Sequence, residues 1–134
     1  MEFRIDPTSR LPIYRQIVEQ VRQGFARGAL RSEERLPSVR ELSRQLVVNP
    51  NTVARAFSEL ERDGLLHTRQ GLGVFIASLK VELTRKARKE RLLEMIDPLL
   101  TEAVCLGFTA EDVLDSVMER AKRFQWEQAG ASAT

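Results

Sequence analysis

Hydrophobic residues recur at helical spacing in three segments of the first half of the chain. Behind Pro12, apolar side chains at intervals of three and four predict a first helix. Ser38 and Glu41 stand at the spacing of a capping box before a second helix, so Ser38 is expected to cap a backbone amide. Asn49 as N-cap and Pro50 at the first helical position predict a third helix after a very short connection. Two helices joined in this way are typical of a helix-turn-helix.

Alternating and apolar-rich stretches predict a small amount of β-structure. At the amino terminus, MEFRID alternates Phe3 and Ile5 with polar neighbours and predicts a short strand. Behind the third helix, LLHTR and VFIA predict two strands joined by a glycine-containing turn. Three helices followed by a hairpin form a winged helix. The expected fold class is therefore mainly α with a small β wing, in a winged helix-turn-helix domain at residues 1–78.

The second half of the chain has a wide apolar stripe on each of two predicted helices. Gly107 separates these helices, and Thr109 with Asp112 can cap the second. Because no third helix covers the stripes, the pattern predicts an antiparallel two-helix dimerisation element at residues 79–126. The residues expected at the dimer seam are Leu92, Ile96, Leu99, Ala103, Leu106, Leu114, Val117 and Phe124. The alternative is that both helices pack back on the first domain.

Three further features of this half concern its helices and its end. The charged stretch KVELTRKARKER, residues 80–91, predicts a solvated helical spacer. Pro98 removes a backbone hydrogen bond to Glu94 and is expected to kink the first helix. Residues 127–134 are mostly small and polar, and they are expected to be a disordered tail.

The positive charge of the chain is concentrated in its first half. The formal net charge is +2, and residues 1–78 contain 12 arginines and no lysine against 9 acidic residues. The planar guanidinium suits phosphate oxygens and guanine edges, so this bias favours a nucleic-acid partner. No apolar run is long enough to span a bilayer and no secretory signal is present, so a cytoplasmic protein without a membrane partner is expected.

The sequence offers little chemistry for catalysis or metal binding. Cys105 is the only cysteine and His67 the only histidine, whereas structural zinc usually needs about four such ligands. No nucleophile stands beside a base and no carboxylate pair has a plausible cleft. We therefore expect no metal, no cofactor and no enzymatic activity, and the residues do not show whether a small-molecule effector exists.

Polar side chains occupy the face of the third helix opposite its apolar stripe. Asn51 and Thr52 at its head are short enough to approach base edges, and Arg55 one turn later can reach guanine or phosphate. The alternative interpretation is structural. In it Asn51 and Thr52 are simply the polar residues of the first helical turn, and Arg62 pairs with Glu59.

The tip of the predicted hairpin is also suited to a nucleic-acid contact. Arg69 and Gln70 supply donors, and Gly71 and Gly73 allow the backbone to come close to a phosphate or a groove wall. His67 lies inside the first hairpin strand, where a structural role is expected.

Five motifs, in order, resemble the winged-helix domain of GntR-family bacterial transcription regulators. Between residues 6 and 76 they are DPTSRLPIYRQI, LPSVREL, VNPNTVARA, ELERDGL and QGLGVF. The short tail and VNPNTV are similar to the YtrA subfamily, whose members carry a small two-helix dimerisation extension. The resemblance implies a homodimer, a DNA operator as partner, and repression of an operon that often encodes a membrane transporter.

The resemblance also implies which side chains touch DNA. These positions are Arg40, Asn49, Asn51, Thr52, Gln70 and Gly71. Many relatives have an arginine directly after the T-[VL] pair, where this chain has Ala54 followed by Arg55, so the partner of Arg55 can be base or phosphate. The expected function is sequence-specific regulation of transcription by a homodimer on a roughly palindromic operator. The alternative is a winged-helix module that binds RNA or protein.

Overall fold

A computed structural model of the protein describes residues 1–78 and 85–126. These residues fall into two compact units, the first with residues 1–78, 125 and 126, and the second with residues 85–124. The predicted tail at residues 127–134 and the first part of the predicted spacer, residues 80–84, lie outside the described residues.

The first unit is a winged helix, as predicted. Its elements in chain order are α1 (Ile13–Ala26), β1 (Arg35–Leu36), α2 (Val39–Leu46), α3 (Pro50–Arg62), β2 (Leu66–Arg69) and β3 (Gly73–Ile76). The three strands form one antiparallel sheet in the order β1-β3-β2. The hairpin register pairs Leu66 with Ile76 and Arg69 with Gly73.

The core of this unit is formed where α1, α2 and α3 meet the base of the sheet. Ile17, Leu42, Leu60 and Ile76, one from each of these elements, are fully buried at 0% exposure. Burial of such side chains contributes roughly 1.5–3 kcal/mol each relative to exposure. This packing holds the helix-turn-helix and the wing on one small scaffold.

Local hydrogen bonds explain why α2 and α3 begin where they do. The Ser38 hydroxyl accepts from the Glu41 amide at 3.0 Å, and the Asn49 side chain accepts from the Asn51 amide at 2.8 Å. The predicted caps are confirmed. The Glu41 carboxylate does not return to the Ser38 backbone as in a full capping box but lies 3.9 Å from the Arg35 guanidinium.

The strand predicted at residues 1–6 is wrong. This segment instead lies along α1, where the Arg4 amide donates to the Gln20 side chain at 2.9 Å and the Asp6 amide donates to Gln16 at 2.8 Å. Each glutamine amide also donates back to the backbone carbonyl of its partner. A side-chain amide offers the same donor and acceptor as a neighbouring strand, so the segment is satisfied without entering a sheet. The third strand of the sheet is β1, which the sequence analysis missed.

The turn between α2 and α3 contains a strained residue. Val47, the C-cap of α2, has left-handed dihedral angles of φ 53 and ψ 52. A β-branched side chain is disfavoured in this conformation by roughly 1–2 kcal/mol. Val47 is also 89% exposed, so it gains almost no burial in return.

Replacing Val47 with glycine should therefore stabilise the winged helix. Relief of the left-handed strain exceeds the cost of about 0.5–1 kcal/mol for the added freedom of glycine in the unfolded chain. We expect the melting temperature to rise by a few degrees in calorimetry. Val48→Gly is the control, because Val48 packs against the core and its loss should lower the melting temperature. A Val47→Gly variant that melts below the parent would contradict this account of the turn.

The second unit consists of two helices joined by a short turn. They are α4 (Arg85–Cys105) and α5 (Ala110–Ala121). The predicted capping box is confirmed, because Thr109 and Asp112 exchange hydrogen bonds at 3.0 and 3.1 Å. Helix α4 continues through Pro98, and α5 ends before Phe124, earlier than its apolar pattern predicts.

The apolar stripes of α4 and α5 are largely exposed in the single subunit. The exposed large apolar residues of this unit are Leu92, Leu93, Met95, Leu99, Leu100, Val104, Leu106, Phe108, Leu114, Val117 and Met118. Ala103 is buried at 8% exposure, and Ile96 and Phe124 are partly buried. Among residues 1–78 and 85–126, no helix combines the length and apolar character needed to cross a membrane.

Candidate DNA-binding surface

The head of α3 presents short polar groups to solvent. Asn49 and Asn51 are exposed and Thr52 is partly exposed. The Asn49 oxygen is used by the cap, so its side-chain NH₂ group is the part that can donate outward. Because Pro50 presets the first helical position, the direction of these side chains is set by a rigid start of the helix.

Helix α2 presents two exposed arginines on one face. Arg40 and Arg44 are separated by one helical turn. Within residues 1–78 and 85–126, neither has an ion-pair partner. Both guanidinium groups are therefore available to an anionic partner. Arg40 is among the DNA contacts expected from the sequence and Arg44 is not, although the spacing of four residues between them is visible there.

Arg55, one turn into α3, is held by an aromatic ring. Its guanidinium carbon lies 3.8 Å from the centroid of the Tyr14 ring, at the start of α1. Tyr14 begins the apolar face of α1, and its ring packs partly against the core. The predicted alternative pairing of Arg62 with Glu59 is wrong, because the Glu59 carboxylate is 2.9 Å from Arg15.

The wing tip is a tight turn between β2 and β3. The Leu72 amide donates to the Arg69 carbonyl at 2.9 Å, and Gly71 has φ 79, which a side chain would disfavour. Apart from its two chain neighbours, no described residue has an atom within 4 Å of the position that a Cβ of Gly71 would occupy. Gln70 is exposed, and Leu72 is 64% exposed. The turn thus presents backbone, an amide and one apolar side chain.

Arg69, in contrast, is engaged at the base of the wing. Its guanidinium binds the carboxylate of Glu33 and lies 4.9 Å above the Phe75 ring. The Ser78 hydroxyl donates to the same carboxylate, and His67 lies 3.7 Å from it. A DNA contact by Arg69 would have to share or break the bond to Glu33. This cluster could not be predicted from residue order, because Glu33 and Arg69 are 36 positions apart.

The hydrogen bond from Ser78 lowers the pKa of Glu33 below its ordinary value of 4.5. Partial loss of contact with water raises the pKa, whereas the nearby Arg69 and His67 lower it further. A carboxylate whose pKa is lowered by folding stabilises the folded state at pH values above its ordinary pKa. This contribution is lost as the pH falls through the lowered pKa.

Glu33→Gln should therefore reduce the melting temperature at neutral pH and have less effect in acid. We expect the difference from the parent to be largest at about pH 7 and to shrink steadily below about pH 4.5. Thermal melts across this range measure it, and Glu61→Gln, on the exposed side of α3, controls for the loss of a generic acid. A difference that stays constant from neutral pH to about pH 3 would refute the role of the Glu33 charge.

Comparisons with known proteins agree with this architecture. Residues 13–76 match the family described as bacterial regulatory proteins, gntR family. The HTH-type transcriptional repressor YtrA of Bacillus subtilis (strain 168) is 34% identical over 116 residues, covering 87% of this chain and 89% of that protein.

Solved structures also match the chain over most of its length. A structure described as a transcriptional antiterminator from Listeria monocytogenes EGD-e has a TM-score of 0.75 at 30% identity, with 96% of this chain and 97% of that one covered. YtrA from Sulfolobus acidocaldarius, described as a GntR-family transcription factor, has a TM-score of 0.60 at 30% identity, with coverages of 74% and 97%.

A winged helix-turn-helix followed by two carboxyl-terminal helices defines the class as transcription regulators. The chain belongs to the GntR family and is similar to its YtrA-type members. It is accordingly a transcription regulator and not an enzyme.

Proposed function

We propose that the protein is a sequence-specific DNA-binding repressor that acts as a homodimer on a roughly palindromic operator. The observation that carries this proposal is the combination of exposed arginines on α2 with the rigid polar head of α3. In a helix-turn-helix, the amino-terminal residues of the second helix contact base edges in the major groove. Asn51 and Thr52 stand at these positions, and Arg40 is free to contact a base or a phosphate beside them.

The wing is proposed to make a second contact with the same duplex. Gln70 and the backbone at Gly71 project from a turn that leaves space for close approach. We assign them to a groove wall or phosphate, which positions the domain without reading many bases. Arg69 contributes through its charge, while its bond to Glu33 holds the base of the wing.

Dimerisation is proposed to occur through α4 and α5. Their exposed leucines, valines and methionines lie on two adjacent helices, and large exposed apolar patches on proteins mark interaction surfaces. A second copy of the same helix pair would complete a four-helix arrangement and bury this surface. Leu92, Leu99, Leu106, Leu114 and Val117 are the exposed members of the predicted seam. Ala103 is buried within the subunit and supports its interior.

Repression is supported by the name of the YtrA relative, which is a transcriptional repressor. The resemblance to the YtrA subfamily is the sole basis for a further proposal, that the regulated operon encodes a membrane transporter. RNA binding is the second candidate, because the structure with a TM-score of 0.75 is described as an antiterminator.

The operator should be protected as two halves. An isologous dimer presents two equivalent α3 heads, which meet successive major grooves about one DNA turn, ~34 Å, apart. The test is to select bound fragments from the source genome and to footprint the enriched site. Two protected segments related by a two-fold axis are expected. One protected half-site at saturating protein would contradict the dimeric model.

A further inference from the structure

Arg55 would ordinarily pair with the acid one turn further along its own helix. Glu59 stands four residues after Arg55, a spacing that brings side chains together on a helix. Here the Glu59 carboxylate is taken by Arg15 of α1, at 2.9 Å, and Arg15 also lies 3.2 Å from Glu19. In the described part of the chain Arg55 has no carboxylate partner.

The neighbour of Arg15 supplies a different support for Arg55. The Tyr14 ring lies under the Arg55 guanidinium at 3.8 Å, and it is partly buried against the core. Stacking on an aromatic face orients a guanidinium without using its N–H donors. Arg55 is therefore charged, exposed and oriented, and its N–H groups make no side-chain hydrogen bond to residues 1–78 or 85–126.

We propose that Tyr14 and Arg15 are positioning residues that present Arg55 to a phosphate of the DNA backbone. Tyr14 orients the Arg55 guanidinium. Arg15 binds the Glu59 carboxylate, which would otherwise pair with Arg55 and neutralise its charge. Phosphate is favoured over base because Arg55 stands one turn after Asn51 and Thr52, and its guanidinium is held on the Tyr14 ring at the start of α1. Guanidinium groups bind phosphate oxygens in a bidentate manner. This inference rests on the proposed DNA-binding function.

The first test measures affinity for the selected DNA fragment as a function of salt concentration. Loss of one phosphate contact lowers the slope of log affinity against log salt by about 0.9. In the proposed dimer Arg55→Ala removes one such contact from each subunit, so it should lower the slope by about 1.8, together with a loss of about tenfold in affinity at low salt. Tyr14→Leu should show part of the same change, whereas Tyr14→Phe, which keeps the aromatic face, should behave as the parent. The double variant Tyr14→Leu with Arg55→Ala should bind no worse than Arg55→Ala alone.

The second test uses the competition for Glu59 and does not depend on altering the aromatic ring. Arg15→Ala frees Glu59 to pair with Arg55 and should reduce the salt slope and affinity. Adding Glu59→Gln to Arg15→Ala removes that competitor and should restore both. A purely structural role of the Arg15–Glu59 pair predicts no such rescue.

The outcomes separate this inference from the proposed function. Failure of the parent to select any duplex would overturn both. If the parent binds selectively, but Tyr14→Leu and Arg15→Ala leave affinity and salt slope unchanged, only the positioning role is wrong. Additive losses in the double variant, or no rescue by Glu59→Gln, would also overturn it.

Discussion

Leu99→Asp should convert the protein from a dimer into a monomer and reduce operator affinity by orders of magnitude. Leu99 lies in the middle of α4 and is 49% exposed in the single subunit. In the proposed dimer, two-fold symmetry places one new carboxylate from each subunit at the dimer seam. Burial of an unpartnered charge costs several kcal/mol. Once the dimer is lost, the second half-site is no longer bound at the roughly millimolar effective concentration that a linked partner provides.

Sedimentation should show the mass halve, and gel shifts should show weak, salt-sensitive binding that survives through the charges of single winged helices. Thr101→Asp is the matched control, because residue 101 is exposed and lies about 200° further round the helix. It introduces the same charge outside the proposed seam and should leave the dimer intact. A Leu99→Asp protein that remains dimeric, or that is monomeric with parental affinity, would rule out α4 as the dimerisation helix.

Arg40→Ala should lower operator affinity by about 1–3 kcal/mol and relax sequence preference at one operator position. Arg40 is exposed near the start of α2 and has no ion-pair partner within residues 1–78 and 85–126. A bidentate guanidinium contact to a base produces this selective loss. A phosphate contact would instead weaken all sequences alike and reduce the salt slope by about one for each subunit, or about two for the proposed dimer. We favour the base contact, and selection experiments on randomised operators measure the difference.

Two variants sharpen this test. Arg40→Lys keeps the charge but loses the planar fork, so it should relax the preference while retaining the salt slope. Arg44→Ala removes an arginine of similar exposure one turn along α2 and should leave base preference unchanged. Equal affinity of Arg40→Ala and the parent for the operator would exclude both kinds of contact.

Features determined by local chemistry were predictable from the sequence. The caps at Ser38, Asn49 and Thr109 depend on side chains that bond to amides two or three residues away. The wing follows from two short apolar strands around a glycine-containing turn. The helices and the winged fold could therefore be assigned from residue order alone.

Features that depend on distant partners were not predictable. The alternation of Phe3 and Ile5 suggested a strand, but the side chains of Gln16 and Gln20 satisfy that backbone. The two-residue strand β1 is too short to show any periodicity. The engagement of Arg69 by Glu33 likewise arises only when the wing folds onto a loop far away in the sequence.

The central claim, sequence-specific recognition of duplex DNA, is tested most directly by competition on the selected operator fragment. The labelled fragment is bound by the full chain at physiological salt. It is challenged with unlabelled operator, with a scrambled duplex of the same composition, and with RNA of the operator sequence. We expect the unlabelled operator to compete at least about 10³-fold better than either alternative. Equal competition by the scrambled duplex, or stronger competition by the RNA, would contradict the claim.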